Sequence, residues 1–287
     1  MKEEVWAEHR PAVFGVAYRL LGTVGDAEDV EQDVWLRAAS ADLSGVRDLR
    51  AWLVTVAARR AYDILRSARV RRETYVGPWL PEPLVTGPDA SEPVLVDESV
   101  STAMLLVMER LTPAERVAFV LHDVFEVPHD RIAEVLDTTP AAGRQLASRA
   151  RRRIAEAKGQ PRADGAERAR VLAAFRAAYE SGDLDGLVAL LHPEAVYVTD
   201  GGGRVTAARR LIVGGERVAM VMLRTGRRHA PATVVPLEVG GEPALGLYRA
   251  GVLFCVDTYD IAEDGRILAL HRQLNPDKLA HVRISAA

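Results

Sequence analysis

The sequence predicts a three-part chain: two all-α blocks separated by a proline-rich segment, then a C-terminal α+β unit. Three observations carry this. Apolar residues recur at helical spacing through 3–72 and again from about 97 to 158. Prolines and glycines crowd residues 73–96, where regular helix is disfavoured. After Gly159-Gln160-Pro161 one amphipathic helix gives way to segments of alternating apolar residues, which read as strands. The expected divisions are 1–72, 73–96, 97–160 and 161–287, and 287 residues suit two or three compact units.

In the first block, Val13, Phe14, Val16, Ala17, Leu20 and Leu21 form a helical stripe that Gly22 ends. Gly25-Asp26 opens the next helix, with acids in its first turn where the macrodipole favours them. Its apolar positions are Ala27, Val30, Val34 and Ala38, while Asp26, Asp29, Gln32, Asp33 and Leu36 project elsewhere. A third helix from about Asp48 to Arg69 carries Trp52, Leu53, Val56, Ala57, Tyr62, Ile64 and Leu65, with Arg59, Arg60, Arg66 and Arg69 beside them.

The segment 73–96 keeps Trp79, Leu80 and Leu84 among its prolines. A solvated linker rarely holds a tryptophan there without docking it. In the second block, Thr112-Pro113-Ala114-Glu115 is a helix start: threonine cap, proline at the first position, glutamate at the third. A helix through Phe125, a short helix Asp130–Leu136, a turn at Asp137-Thr138-Thr139-Pro140 and a long basic helix follow. In the third part, 164–181 and the GGERVAMVMLRTG segment read as helices. AVYVTD, VTAARR, ATVVPLEV, ALGLYR, VLFCVDTYDI and ILALHRQL read as strands.

Composition narrows the function. The lone cysteine, Cys255, excludes an intrachain disulfide and a zinc site of paired cysteines. No apolar run is long enough for a membrane helix, and the charged N-terminus lacks an apolar signal core, so a cytoplasmic protein is expected. With 37 basic and 40 acidic residues the formal net charge is −3, weak grounds against DNA binding by the chain alone. The distribution is more telling. Arginines cluster at 59–72 and 144–153, and acids between them and at 26–33, which suits DNA-facing patches beside an acidic face for a basic protein partner.

Residues 113–157 form a helix-turn-helix pattern. Ile132, Ala133 and Leu136 are expected against Val117, Val120 and Leu121. The last helix turns Ala142, Leu146, Ala150 and Ile154 inward and leaves Arg144, Gln145, Ser148, Arg149 and Arg152 outward. Arginine can bond two acceptors of guanine, and glutamine both edge groups of adenine, so this face suits the major groove.

FGVAYRLLGTVGDAEDVEQDVWLRAA with LRAWLVTVAARRAYDILRS resembles region 2 of extracytoplasmic-function (ECF) sigma factors of the sigma-70 family. LTPAERVAFVLHDVFEVPHDRIAEVLDTTPAAGRQLASRARRRI resembles their region 4. Trp79-Leu80-Pro81-Glu82-Pro83, Asp200-Gly201-Gly202-Gly203-Arg204 and Asn275-Pro276-Asp277-Lys278-Leu279 resemble the motifs of the subgroup with a fused SnoaL-like domain. The resemblance implies a promoter-specificity factor that works with core RNA polymerase (β′ and β subunits) and promoter DNA, as one copy per polymerase and monomeric when free. It implies that Asp26, Asp29, Gln32, Asp33 and Leu36 dock on the β′ clamp, charge setting orientation and on-rate. It places Arg47, Asp48, Arg50, Arg59, Arg60, Asp63 and Arg66 at the −10 element, and Arg144, Gln145, Ser148, Arg149 and Arg152 at the −35 element. Trp35 and Trp52 fall on apolar stripes and are expected in the core. Gly143 stands where a cysteine or another small residue is usual. The three motifs imply a fused domain that regulates the sigma portion, with Trp79 and Leu80 filling an apolar groove and the NPDKL segment close by.

SnoaL-like domains share a cone-shaped α+β fold with ketosteroid isomerases and transport-factor-like modules, and that fold supplies a pocket open to a small-molecule ligand. Asp200, Tyr197, Tyr248, Asp257, Tyr259 and His271 are the groups an isomerase-type site would draw on, and none sits in a catalytic signature. The three glycines lack the ending of a phosphate loop and read as a hairpin turn. No enzyme activity, metal or cofactor is expected. A ligand-responsive helix-turn-helix regulator, or a pocket enzyme fused to DNA-binding parts, are the competing readings.

Overall fold

The computed structural model describes residues 1–73, 75–86, 97–157, 161–227 and 232–282. Thr74 and 87–96 of the expected linker, and the joint at 158–160, lie outside the described residues. The chain divides into two compact units. One holds both helical blocks; the other holds the described linker residues 75–86, Ser101–Ala103 and the C-terminal part.

The helical unit begins with α1 (Glu3–Leu21), ended by Gly22 in the left-handed conformation at φ 72°. Residues from Ala12 to Leu21 are buried on every side, so α1 is the central rod of its block. It packs against α2 (Val24–Ser40) and α3 (Leu49–Glu73). Ala27, Val30, Val34 and Ala38 of α2 are fully buried, as their spacing predicts. Trp35 and Trp52 are half-buried; the Trp35 ring lies 5.3 Å from that of Trp6.

After a short helix α4 (Thr102–Met108), the expected cap forms at α5 (Pro113–Phe119). Thr112 Oγ1 accepts from the Glu115 N–H, and the Glu115 carboxylate accepts from the Thr112 N–H. The α-helix expected through Phe125 stops at Phe119 and continues as a π-helical turn, Val120–Val124. Then come α6 (His129–Val135) and the basic α7 (Pro140–Ala157). The buried stripe of α7 is Gly143, Ala147, Ala150 and Ile154; Ala142 and Leu146 are only half-buried. A Cβ on Gly143 would meet His129 O at 3.7 Å and Ile132 at 3.8 Å, ordinary contacts that leave room for a small side chain.

Two buried arginines fasten the blocks together. Arg116 donates to Met108 O, to Glu109 and, across the blocks, to Leu20 O at 2.8 Å. Arg19 of α1 donates to Ser99 and Asp97 and lies over the Phe125 ring. Burial holds the Arg19 guanidinium below its ordinary value despite the facing Asp97.

The second unit is α+β. Helices α8 (Gly165–Ser181) and α9 (Leu184–Leu190) lead into β2 (Leu191–Asp200), β3 (Ile212–Val213), α10 (Gly215–Arg227) and β4 (Thr233–Val239). Then follow β5 (Glu242–Arg249), β6 (Val252–Ile261), β7 (Ile267–Gln273) and the single-turn α11 (Pro276–Leu279). The seven-stranded sheet runs β1-β4-β5-β6-β7-β2-β3, where β1 (Val85–Thr86) comes from the linker. Among the described residues only the β2–β7 pair is parallel. The main core, including Phe175, Leu187, Met222, Leu247 and Tyr259, lies on one face of the sheet. Val239, Ala244, Val256 and Leu279 make a small core on the other.

Two expectations are corrected. VTAARR is not a strand: residues 201–211 form a loop, closed where Thr199 donates to Ala208 O. The glycines therefore do not make a tight hairpin between strands. They make a turn (Arg204 N–H to Gly201 O, 2.9 Å) that opens the loop between β2 and β3.

Candidate nucleic-acid interface and linker-docking site

On α2 the outward face is as expected, and Leu36 is 59% exposed. Asp29 and Gln32 are exposed. Asp33 is not independent of the basic helix: Arg60 Nε bonds its carboxylate at 2.6 Å. Asp26 accepts from the Thr23 hydroxyl at the helix start.

The basic face of α3 and its approach is solvent-facing. Arg47, Asp48, Arg50, Arg59, Asp63 and Arg66 are exposed, and Arg60 is half-buried. Asp48 accepts from the Ala51 N–H in the first turn of α3. Arg66 lies over the Tyr62 ring, Arg50 lies 6.0 Å from the Phe125 ring centre, and Arg59 reaches Asp137 at 3.4 Å.

On α7, Arg144, Gln145, Ser148, Arg149 and Arg152 are all exposed. Two of them are partly engaged: Arg152 lies 3.8 Å from Glu156, and Arg149 faces Glu115. Glu115 is 3% exposed and takes Arg153 at 2.7 Å and Arg149 at 3.7 Å. The carboxylate that caps α5 thus also seats the basic helix, an arrangement that the spacing of α7 alone did not show.

The three motifs meet within the C-terminal unit, at Asp200. Its side chain is fully buried at the end of β2. Oδ1 accepts from Tyr75 OH at 2.7 Å and from the Gly202 N–H at 2.9 Å. Oδ2 accepts from the Leu80 N–H at 2.9 Å and from Lys278 Nζ at 2.7 Å. Lys278 also donates to Leu80 O at 2.6 Å and lies over the rings of Trp79 (4.4 Å) and Tyr75 (4.9 Å). Gln273 donates to Pro81 O, and His281 lies 3.0 Å from Pro83 O and 3.9 Å from Glu82. Leu80 is buried, while Trp79 is half-buried. Burial, and then the Asp200 carboxylate, push the Tyr75 phenol well above its ordinary value, so it stays a donor.

Sequence dictates this locally. Asn275 caps α11, its side chain accepting from the Asp277 N–H, and Pro276 takes the first position where no donor is needed. That turn presents Lys278 inward. Gly202 has φ +57°, and a Cβ there would sit 2.2 Å from Asn275 Nδ2. Gly203, at φ +71°, lies against Val76. Arg204 and Asp277 form an exposed pair at 2.8 Å. Tyr75 and Gln273 are members of the cluster that sequence reasoning did not single out.

The other candidates fall elsewhere. Asp257 is clamped by Arg272 through Nε (2.8 Å) and the second nitrogen (2.6 Å), so it is no free base. Burial, the largest single influence, would lower Arg272, but Asp257 together with Tyr197 and Cys255 outweighs it and raises the guanidinium well above its ordinary value. Tyr197 lines a cleft and is raised by burial; Tyr259 is raised likewise, and its hydroxyl has no partner. His271 is buried and held below its ordinary value by that burial. Tyr248 is buried and raised too. Among the described residues, no group of three His, Cys, Asp or Glu is arranged to hold a metal ion, and no helix is long and apolar enough to cross a membrane.

Comparison with known proteins agrees with this architecture. The model for Sigma-70 region 2 matches residues 5–71, and that for Sigma-70, region 4 matches 101–154. The ECF RNA polymerase sigma factor SigJ of Mycobacterium tuberculosis is 45% identical, over 94% of this chain and 90% of its own. The probable ECF RNA polymerase sigma factor SigI of the same species is 34% identical, over 97% and 94%. The crystal structure of M. tuberculosis SigJ superimposes with a TM-score of 0.78 at 40% identity, covering 97% of this chain and 98% of that one. Two helical blocks with a basic recognition helix, followed by an α+β unit and matched nearly end to end by these relatives, place the chain in the ECF RNA polymerase sigma factors of the sigma-70 family.

Proposed function

We propose that this alternative sigma factor, acting in the cytoplasm, is controlled by its own C-terminal unit, which holds the segment joining the two DNA-reading blocks. The observation that carries this is the bonding of Tyr75, Leu80 and Pro81 to Asp200, Lys278 and Gln273. A linker whose main chain is paired inside another unit has a set path. The C-terminal unit thereby governs how freely region 2 and region 4 separate.

The roles follow from surface chemistry. The α2 face with exposed Leu36, Asp29 and Gln32 takes the β′ clamp. The arginines of α3 hold phosphates and opened strand at the −10 element. Arg144, Gln145 and Ser148 read the −35 element in the major groove, with Arg149 and Arg152 beside them. The two elements lie about 25 base pairs apart, or roughly 85 Å of duplex. A compact unit of this size is about 40 Å across. The fastening of α1 to the second block through Arg116 and Arg19 therefore belongs to a resting form that polymerase opens.

In vitro transcription with core polymerase on a genomic promoter library tests the proposal. The full chain should give specific start sites. The W79A/L80A double variant should shift promoter activity severalfold in either direction while both helical blocks stay folded by circular dichroism. Identical transcription from both proteins across several promoters would sink the regulatory proposal. Tight operator binding without polymerase, and no transcript with it, would favour a conventional regulator.

A further inference from the structure

The C-terminal unit contains a cleft of about 1390 Å³, lined by apolar side chains such as Leu223, Val234, Leu247 and Leu274. It exceeds the few hundred to 1,000 Å³ of common small-molecule sites. Among the described residues three charged side chains line it: Glu180, Arg249 and Arg272. Glu180 pairs with Arg176, and Arg272 pairs with Asp257. Arg249 differs. It follows Leu245 and Leu247 at the same alternation on β5, so it belongs to the face that carries the main core. Its guanidinium stacks on Phe254 at 4.3 Å, where β6 bulges, and its Nε is buried without a hydrogen-bond partner. No carboxylate among the described residues pairs with it.

A half-buried guanidinium with an unused donor, on the wall of an apolar cleft, is an unbalanced positive charge. The group that balances it best is a carboxylate, which matches the planar fork. Tyr179 and Tyr197 also line the cleft, and burial raises both phenols, so they remain proton donors. We infer that this cleft binds an amphipathic monocarboxylate, with its apolar body along the leucine-lined wall and its carboxylate on Arg249. Glu180 lines the same cleft, but its exposure and its pairing with Arg176 keep it from repelling the bound anion.

The site lies in the unit whose regulatory role is proposed above, but occupancy is read by direct binding, so its failure and the failure of that role are separable. Calorimetry on the full chain compares dodecanoate with dodecanamide, its uncharged counterpart, both below micellar concentration. Dodecanoate should bind about tenfold more tightly than the amide. Arg249→Gln should erase that difference and leave amide binding as it was. Val221→Trp, which fills the cleft from a half-buried position, should weaken both. Equal affinities in the unaltered protein, unchanged discrimination in Arg249→Gln, or no binding of either compound overturns the inference. Should Arg249→Gln fail to fold, the salt dependence in the unaltered protein decides: dodecanoate affinity should fall with ionic strength while amide affinity holds, and parallel behaviour overturns the inference.

Discussion

Two buried ion pairs of the C-terminal unit are used differently. Asp257 and Arg272 are register partners on adjacent strands, and the guanidinium fork spans both carboxylate oxygens. Asp200 and Lys278 make a single contact, and both also bond the linker at Tyr75 and Leu80, more than a hundred residues earlier. The first pair is closed within the sheet. The second is completed by the linker, so linker docking and the stability of that corner are one equilibrium. Arginine suits the first role because its planar fork fits one carboxylate. Lysine suits the second because its three donors point in separate directions.

The largest effect should come from the closed pair. Arg272→Met leaves Asp257 buried without its cation and should cost about 3–5 kcal/mol, seen as a large fall in the Tm of the C-terminal unit. Lys278→Met should cost less, about 2–3 kcal/mol, because Tyr75, Leu80 and Gly202 still donate to Asp200. Limited proteolysis should then cut residues 75–84 faster, whereas Arg272→Met at a temperature where it stays folded should not change that rate. Equal cleavage in both variants would remove the distinction between the pairs.

Acid adds a smaller effect. His271 lies beside Arg272 in sequence and is held below its ordinary pKa of 6.5 by burial, with Asp260 opposing that shift and Arg162 adding to it. The unfolded chain therefore takes up this proton first. The stability tied to neutral His271 is present above pH 6.5 and lost as pH falls toward the depressed folded value. Denaturant midpoints at about pH 7.5 and 5.5 should draw closer together in His271→Phe than in the unaltered protein. Smallest of all, Arg204→Ala removes an exposed pair with Asp277 and should change stability by less than about 0.5 kcal/mol.

Much of the helical unit was legible because its signals are local. The α2 stripe, the Gly22 stop and the Thr112–Glu115 cap each follow from residues within one or two turns. The exposed face of α7 was legible too, although its buried side is centred on Gly143 and Ala147 rather than Ala142 and Leu146. Glycine and alanine carry little hydrophobic signal, yet their small size lets the helix approach closely. The C-terminal unit was harder. VTAARR alternates like a strand, but the Thr199 hydroxyl takes a loop carbonyl that a strand would have paired. The helix α9 was missed because its apolar run is short and interrupted by Gly186. By sequence Asp200 is a candidate base, because nothing local reveals donors at Tyr75 and Leu80. The grouping of Trp79 with the NPDKL segment came from the family motifs, and their contact rests on the fold.

The docked linker also means that the chain cannot be cut where its sequence changes texture. A fragment beginning near residue 161 would lack Tyr75 and Leu80, and with them two donors to Asp200 and the acceptor that completes Lys278. It would also lose β1, exposing the β4 edge at Val239. The folding module is discontinuous in sequence: residues 75–86 are its first strand and clasp, encoded well ahead of its body. Any attempt to graft this C-terminal unit onto another protein must carry that detached piece along.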